Sequence, residues 1–227
     1  MEPEKKNMTN REIILGRIRE ALKSPEAVHE VPVDPPSSFK QWLPPVGDSL
    51  EEQMDLFRSN VEDLRADFKL CASLDEAIRC LQAMAVEYDW KKIGLHRGVL
   101  TETVARGLDL VKVMTDEGYV LADLESCDAA LTGCDALIAQ TGSVLVSSTT
   151  SGGRALSVLP PHHIVLAREN QLVPNLTVAL ERAQEKYGDQ YPSFLSLITG
   201  PSRTGDIERI LVLGAHGPKR LTILLVR

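Results

Sequence analysis

Hydrophobic positions recur along the chain with two different periods, and these periods alternate from one segment to the next. SLDEAIRCLQAMAVEY and TETVARGL space their apolar residues three or four positions apart, which is typical of helices. The pieces around them, FKLCA, KKIGLH and LDLVKVM, are short apolar runs typical of strands. This alternation predicts an α/β domain built on a mostly parallel sheet with helices on both faces.

The first 48 residues follow a different pattern. TNREIILGRIREALKS predicts an amphipathic helix that begins with a capping box of Thr9 and Glu12. The segment from Val31 to Asp48 contains five prolines, which regular helices and central strands do not accommodate. We therefore expect residues 1–48 to form a helical arm with an extended tether. Residues 49–227 would form the α/β domain.

A second capping box, Ser49 with Glu52, predicts the first long helix of the domain. The pattern changes after Asp123, where DAALTG and DALIAQTGSVLVSS predict short strands joined by tight turns, and thus an antiparallel hairpin. HHIVLAR predicts a strand and LVPNLTVALERAQEKYG a helix. SFLSLITG and RLTILLVR predict two buried strands, the second of which closes the chain.

Composition and charge narrow the classes of function. With 43% hydrophobic and 25% charged residues, the chain falls in the range of a globular domain. Its net charge of −7 argues against nucleic acid as a partner, because phosphate binding requires a basic face. The sequence has neither an apolar signal segment nor a stretch that would span a bilayer, so we expect a cytoplasmic location.

The four cysteines form no CxxC pair, so we expect scattered reduced thiols rather than a metal site. Cys134, beside Gly133, is the one candidate for a reactive thiol. His162 and His163 are neighbours in a predicted strand and would point to opposite faces, so no metal site is predicted there. Because the sequence also lacks a dinucleotide-binding fingerprint, we expect no cofactor bound by this chain.

Three polar clusters marked by glycine follow predicted strands, where open α/β sheets bind ligands. The first is Thr141, Gly142 and Ser143, whose amides and hydroxyls would suit an anion. An ordinary hairpin turn explains the same residues, and for this cluster alone it is the better explanation.

The second cluster is a run of hydroxyls followed by Gly152, Gly153 and Arg154. Backbone amides and a guanidinium there would hold a carboxylate or a phosphate. A flexible loop rich in hydroxyls is an equally good explanation.

The third cluster lies in GPSRTGDIERILVLGAHGP and offers the hydroxyls of Ser202 and Thr204. Thr204 would cap a short helix with Asp206 and Glu208 in its first turn, where carboxylates suit the helix dipole and are also available for acid–base chemistry. His216, in a tight turn before the last strand, could transfer a proton near neutral pH. A surface histidine is the simpler alternative.

Taken together, these clusters resemble a known family. TGCDALIAQTGSVLV, SGGRALSVLPPHHIVLARENQLV and GPSRTGDIERILVLGAHGPKRLTILLV are similar, in order, to the C-terminal half of the LUD domain of the lactate-utilization protein C family. The chain departs from that family pattern at two positions. Gln140 stands where an acidic residue is frequent, and Gly205 stands where alanine is usual.

The resemblance implies a Rossmann-like fold related to the CoA-transferase, ribose-phosphate-isomerase and formyltetrahydrofolate cyclo-ligase group. It also implies work beside two partners, an iron–sulfur protein and a larger iron–sulfur protein with its own LUD domain. Together these proteins would oxidise L-lactate to pyruvate, with the iron–sulfur clusters on the partners.

The leading hypothesis is therefore a cytoplasmic subunit of an L-lactate-oxidising complex that binds a small carboxylate. Arg154 would hold the carboxylate, supported by Thr141, Gly142, Ser143, Gly152, Gly153, Ser202 and Thr204. The acid–base candidates are Asp206, Glu208 and His216. Two alternatives remain open: an enzyme acting alone on a phosphorylated or CoA-linked acid, and a non-catalytic assembly subunit that docks through residues 1–48.

Overall fold

A computed structural model of the protein describes residues 9–23, 43–204, 212–214 and 216–227. The chain divides into two compact units, Met1–Trp42 and Leu43–Arg227. Helix α1 (Asn10–Ala21) is the described part of the first unit and begins at the expected capping box, with the Glu12 amide donating to Thr9 Oγ1. The domain boundary at residue 48 stays a prediction, and most of the predicted tether lies outside the described residues.

The second unit contains the remaining helices and the strands. The helices described there are α2 (Leu50–Asp63), α3 (Leu74–Glu87), α4 (Val99–Arg106), α5 (Leu121–Glu125) and α6 (Leu176–Tyr187). The strands are β1 (Asp67–Cys71), β2 (Lys92–Leu95), β3 (Val111–Met114), β4 (Ala129–Thr132), β5 (Ala136–Ile138), β6 (Ser143–Ser147), β7 (His162–Arg168), β8 (Leu172–Val173), β9 (Leu195–Ile198), β10 (Arg203–Thr204), β11 (Val212–Leu213) and β12 (Arg220–Val226). Among the described residues, no helix combines the length and the apolar character needed to cross a membrane.

The described chain is organised around a six-stranded sheet in the order β1-β12-β7-β4-β2-β3. Every neighbouring pair in this sheet is parallel, which confirms the predicted α/β fold. The carboxyl ends of parallel strands lie at the same edge of the sheet, which we call the carboxyl edge.

Strand β12 shows why the sheet needs helices on both faces. Leu221, Ile223 and Leu225 are buried against α2 and the smaller sheet, whereas Leu224 and Val226 are buried on the other side with α3 and α4. A parallel strand covered on both faces is apolar throughout rather than alternating. Burial of each such side chain stabilises the fold by about 1.5–3 kcal/mol.

A four-stranded mixed sheet has the order β8-β5-β6-β9, with β5 and β6 from the chain between β4 and β7 and β8 and β9 from the chain between β7 and β12. Its β5 and β6 are antiparallel, which confirms the predicted hairpin. The prediction that DAALTG also belongs to this antiparallel arrangement was wrong. DAALTG forms β4, which pairs in parallel with β2 and β7. A short apolar run does not reveal the direction of its partners, and the chain leaves the central sheet only after Thr132.

The segment SFLSLITG forms β9, but it is not the buried strand that was predicted. Leu197 is 43% exposed. Within the described residues β9 pairs only with β6 and lies at the edge of the smaller sheet, so one side of the strand has no neighbouring strand. An apolar run alone does not distinguish an edge strand from a central one.

Helix α2 packs directly on the turn between β5 and β6. Asn60 donates from Nδ2 to the carbonyl of Ala139 at 2.8 Å. A nearby turn residue, Gly142, has φ +63°, and a Cβ there would lie 2.8 Å from Asn60 Cβ and 3.0 Å from the Asn60 carbonyl carbon. Glycine is therefore required at position 142 both for its backbone conformation and for the close approach of the helix.

We predict that Gly142→Ala lowers the free energy of unfolding by about 3 kcal/mol, measured by urea denaturation. The left-handed conformation costs about 1–2 kcal/mol for a residue with a Cβ, and overpacking adds about 1–3 kcal/mol. Gly118→Ala is the matched control, because Gly118 has φ +82° but a Cβ at that position would meet nothing within 4 Å. Equal losses in the two variants would contradict the role assigned to helix packing.

Candidate functional site

The carboxyl edge changes its connection pattern between β2 and β4. From β2 the chain passes through α4 to β3 on one side, whereas from β4 it passes through the smaller sheet to β7 on the other side. Neighbouring strands whose connections diverge in this way leave a crevice at their carboxyl ends, which is the usual ligand position in open α/β sheets.

A cleft of about 470 Å³ lies at this position, and we call it the carboxyl-edge cleft. Its walls come from four segments: residues 96–101 after β2, Gly133 and Cys134 after β4, Thr149 and Thr150 after β6, and Arg168 at the end of β7 with Asn170 and Gln171. The volume falls within the usual range for small-molecule sites.

His96 is the most deeply placed ionisable group of the cleft. It follows β2 directly and is only 5% exposed. The amide of Gly133 donates to its Nε2 at 3.3 Å. This bond assigns the ring proton of the neutral form to Nδ1. Burial lowers the pKa of His96, so the imidazole is neutral near pH 7. The Gly133 amide donates more closely to the carbonyl of Thr150, at 2.9 Å, so a ligand hydroxyl can replace the long bond at Nε2.

Helix α4 presents its N-terminus to the same cleft. Its cap residue is Gly98, which has no side chain, so the first amides are left to other acceptors. The turn that leads into the helix is fixed by Thr101, whose Oγ1 donates to the carbonyls of His96 at 3.1 Å and Gly98 at 3.0 Å. A helix N-terminus of this kind favours an anion.

The two arginines of the cleft differ in their charge balance. Arg97 Nη2 lies 3.0 Å from Glu117 Oε1, so its charge is compensated within the chain. Arg168 is exposed, and no ion pair joins it to another described residue. With His96 neutral and Arg97 paired, Arg168 is the one cation lining the cleft that has no ion pair among the described residues.

The first predicted cluster, Thr141 to Ser143, lies elsewhere. Thr141 Oγ1 donates to Ser143 Oγ at 2.8 Å, and Ser143 Oγ lies 2.8 Å from Thr199 Oγ1. Gly142 faces α2. Gln140, the position where the family pattern differs, donates from Nε2 to the carbonyl of Pro44 at 3.0 Å. The hydroxyls of this turn are therefore engaged within the protein, and their ligand role stays a prediction.

The second predicted cluster is split between the cleft and the surface. A Cβ at position 152 would lie 2.3 Å from His96 Cβ, so Gly152 packs behind the cleft histidine, whereas a Cβ on Gly153 would meet nothing within 4 Å. The Arg154 guanidinium donates to the carbonyl of Ser193 at 3.1 Å and lies 5.4 Å from the centre of the Phe194 ring. Arg154 is not among the cleft residues, and its role as a carboxylate clamp stays a prediction.

The third predicted cluster lies near the first. The amide of Ser202 donates to the carbonyl of Pro218 at 2.9 Å, and the carbonyl of Ser202 accepts from the amide of Gly214 at 2.9 Å. These bonds bring Ser202 beside the turn that contains the exposed His216. Thr204 lies in β10, and the helix predicted after it lies outside the described residues, as do Asp206 and Glu208.

Strand β6 separates these clusters. Ser143 begins the strand and Ser147 ends it, so the Thr141 turn and the loop that carries Gly152 lie at opposite ends, about 13 Å apart at the usual rise per residue. Ser143 of the first cluster bonds Thr199, which follows β9 and lies three residues before Ser202 of the third cluster. Only the second cluster reaches the cleft.

Sequence reasoning missed His96 and Arg168, although each was visible as the polar residue that follows or ends a predicted strand. KKIGLH ends in His96 and HHIVLAR ends in Arg168. The missing information was that β2 and β7 flank the same strand, β4, so that their distant ends meet. From the sequence, the candidate ligand residues were instead placed in the three clusters marked by glycine.

Cys134 lies in the cleft wall, but its chemistry argues against a nucleophile. The side chain is buried, and burial raises the pKa of its thiol far above the ordinary value. The thiol is therefore protonated at neutral pH, and the thiolate is the reactive form. Among the described residues, no group of three or more histidine, cysteine or acidic side chains is arranged to hold a metal ion.

The fold and the cleft define an α/β protein with a central parallel sheet, a smaller mixed sheet formed by the segments after β4 and after β7, and a crevice at the carboxyl edge of the central sheet. The chain belongs to the LUD domain family, whose family model matches residues 54–226.

Individual relatives agree with this assignment. A lactate utilization protein C from Deinococcus radiodurans is 28% identical over 204 residues, which cover 89% of this chain and 87% of the relative. A lactate utilization protein C from a Geobacillus species is 36% identical over 104 residues, or 45% of this chain and 43% of that protein. The crystal structure of a DUF162 family protein from Deinococcus radiodurans superposes with a TM-score of 0.64 at 25% identity, covering 80% of this chain and 100% of that one.

Two further histidines are buried away from the cleft. His162 and His163 are each 1% exposed, and their Nε2 atoms pair with Thr222 and Thr132, respectively, at 2.8 Å. Neighbouring strand residues face opposite sides of the sheet. Burial is the main reason that the pKa falls to about 4 for His162 and about 3 for His163.

These shifts predict that the protein loses stability as the pH falls from 7 to 5. The unfolded chain protonates each histidine near its ordinary pKa of about 6.5, whereas the folded chain keeps His162 and His163 neutral. The unfolded state therefore binds more protons, and each histidine lowers the free energy of unfolding by about 2 kcal/mol over this range. Urea denaturation at the two pH values measures the loss.

His163→Gln should remove about half of this pH dependence. His216→Gln is the control, because His216 is exposed and bonds no buried group among the described residues. A fall in stability that is the same for the parent and for His163→Gln would contradict the assignment.

Proposed function

We propose that this chain works in lactate utilization, as a cytoplasmic subunit beside iron–sulfur proteins that carry the electrons when L-lactate is oxidised to pyruvate. Membership in the LUD domain family and similarity to relatives named lactate utilization protein C support this role. The alternative of an enzyme acting alone on a phosphorylated or CoA-linked acid has no comparable support.

We propose further that the 2-hydroxy acid binds in the carboxyl-edge cleft. The observation that carries this proposal is the charge balance: Arg97 is paired with Glu117, His96 is neutral, and Arg168 is unpaired among the described residues. One free guanidinium and the amides at the start of α4 match a monocarboxylate, which carries a single charge.

The chemistry of lactate assigns a task to His96. Oxidation to pyruvate breaks the O–H bond and the C2–H bond and releases two protons and two electrons. With the carboxylate held at Arg168, the hydroxyl of lactate would take the place of the Gly133 amide at His96 Nε2, and Nε2 would accept the hydroxyl proton as a general base. The two electrons would pass to the iron–sulfur partners, and the proton from C2 and the proton on His96 would both be released to water.

Arg168→Ala should weaken L-lactate binding by about 10- to 100-fold, since a charge-assisted hydrogen bond contributes about 1.5–3 kcal/mol. Isothermal titration calorimetry with the purified chain measures this change. Arg168→Lys should retain part of the affinity because it keeps the charge and loses the two-pronged geometry.

Arg154→Ala is the matched control and also tests the expectation from the sequence that Arg154 holds the carboxylate. The proposal requires that Arg154→Ala bind L-lactate as the parent does. Loss of binding in Arg154→Ala with normal binding in Arg168→Ala would place the carboxylate at the glycine-rich loop and overturn the cleft assignment. Lactate-dependent dye reduction by the iron–sulfur partners, with and without this chain, tests whether the chain is needed for turnover.

A further inference from the structure

Behind the cleft lies a buried carboxylate that has no part in the proposed lactate chemistry. The side chain of Asp135 is 4% exposed. Its Oδ1 accepts from Tyr187 Oη at 2.7 Å and from Lys186 Nζ, and its Oδ2 accepts from Thr150 Oγ1 at 3.1 Å. A buried carboxylate is tolerated only when its charge and lone pairs are satisfied in this way.

The groups around Asp135 come from three separate elements. Asp135 immediately precedes β5, Lys186 and Tyr187 form the end of α6, and Thr150 belongs to the loop after β6. Ser147, the last residue of β6, joins the same cluster, because its Oγ lies 2.8 Å from Tyr187 Oη and 3.1 Å from Thr150 Oγ1. The carboxylate therefore ties the end of a helix to a loop.

That loop, taken together with the last residue of β6 as residues 147–153, lies next to His96, and its Thr149 and Thr150 line the cleft. The carbonyl of Thr150 accepts from the Gly133 amide at 2.9 Å, the same amide that lies 3.3 Å from His96 Nε2. Two residues further on, Gly152 approaches His96 so closely that a Cβ would lie 2.3 Å from His96 Cβ. A continuous set of contacts thus runs from Asp135 through Thr150 and Gly133 to the imidazole.

We propose that Asp135 is a positioning residue that holds loop 147–153 against His96 and so keeps the imidazole buried and aligned with the Gly133 amide. Asp135 is not itself a catalytic residue, because it does not line the cleft. An effect of Asp135 on lactate oxidation rests on the proposed function. The effect of Asp135 on the burial and orientation of His96 does not, because it follows from the contacts alone.

The direct test is an NMR titration of the His96 ring in the purified chain, with Asp135→Asn compared to the parent. Release of the loop should admit water to His96 and raise its pKa towards the ordinary value, because burial is the largest cause of the lowered pKa and outweighs the opposite effect of the Thr150 backbone. The charged groups that face His96 from other elements, Asp116 and Glu102, are unchanged in this variant.

The sign of the shift separates positioning from simple electrostatics. Removing a negative charge disfavours the imidazolium, so a purely electrostatic effect of Asp135→Asn would lower the pKa of His96. An upward shift supports the proposal, and a downward shift or none at all overturns it.

Asp128→Asn is the matched control. The carboxylate of Asp128 also holds backbone, accepting from the amides of Lys91 at 2.7 Å and Lys92 at 2.9 Å, but it does so at the opposite edge of the sheet. His96 should titrate as in the parent, and a comparable upward shift in this control would overturn the proposal by showing a general loosening of the fold.

Tyr187→Phe gives a second variant in case Asp135→Asn does not fold. It removes one donor to Asp135 and keeps the ion pair with Lys186, so the His96 pKa should rise by less than in Asp135→Asn. If Tyr187→Phe is the only variant that folds and its His96 pKa equals that of the parent, the proposal is overturned.

Calorimetry with L-lactate on the same samples tests the proposed function separately. If the parent does not bind lactate, the proposed function fails, while the His96 titration still decides the role of Asp135.

Discussion

Parallel pairing of β2, β4 and β7 is the constraint on which the cleft depends. Because parallel strands end at the same edge, this pairing places His96, Gly133 and Arg168 together although they are far apart in the chain. An antiparallel β4 would send the chain out of the sheet at the opposite edge, and the smaller sheet would then cover the wrong ends of the strands. The direction of β4 therefore determines where the cleft and its polar residues lie.

The smaller sheet contributes structure to the cleft at one end and packs against α2 at the other. At the Gly142 end it meets the helix, and the hydroxyls of Thr141 and Ser143 bond within the protein. At the Ser147 end its loop closes on His96, and Asp135 contacts that loop from behind. In the sequence, Gly142 and Gly152 suggested a binding loop for a phosphate or carboxylate. In the structure, glycine is needed at both positions because a Cβ would collide with Asn60 or with His96.

Much of the fold was predictable because its signals are local. The capping box of Ser49 and Glu52 marks the start of α2, and helical spacing marks α3. The direction of β4 and the exposure of Leu197 were not predictable, since both depend on which strands become neighbours. Local sequence carries no information about that choice.

The site was less predictable than the fold for the same reason. His96 and Arg168 stand at strand ends, but only the order of the strands brings those ends together. Arg154 stands beside two glycines in the sequence and so drew attention, whereas in the structure its guanidinium bonds Ser193 and covers Phe194. The residue types in the sequence indicated anion binding, but only the strand order shows that Arg168, which has no ion pair among the described residues, lines the cleft.

The measurement that tests the cleft assignment most directly is a map of backbone amide chemical shifts during titration of the purified chain with L-lactate. If lactate binds in the carboxyl-edge cleft, the perturbed amides will be those of residues 96–101, Gly133, Thr149–Thr150 and Arg168, which line it. Perturbations confined to Thr141–Ser143 and the neighbouring residues 199–203 would contradict the assignment, because they would place the ligand at the far end of the smaller sheet.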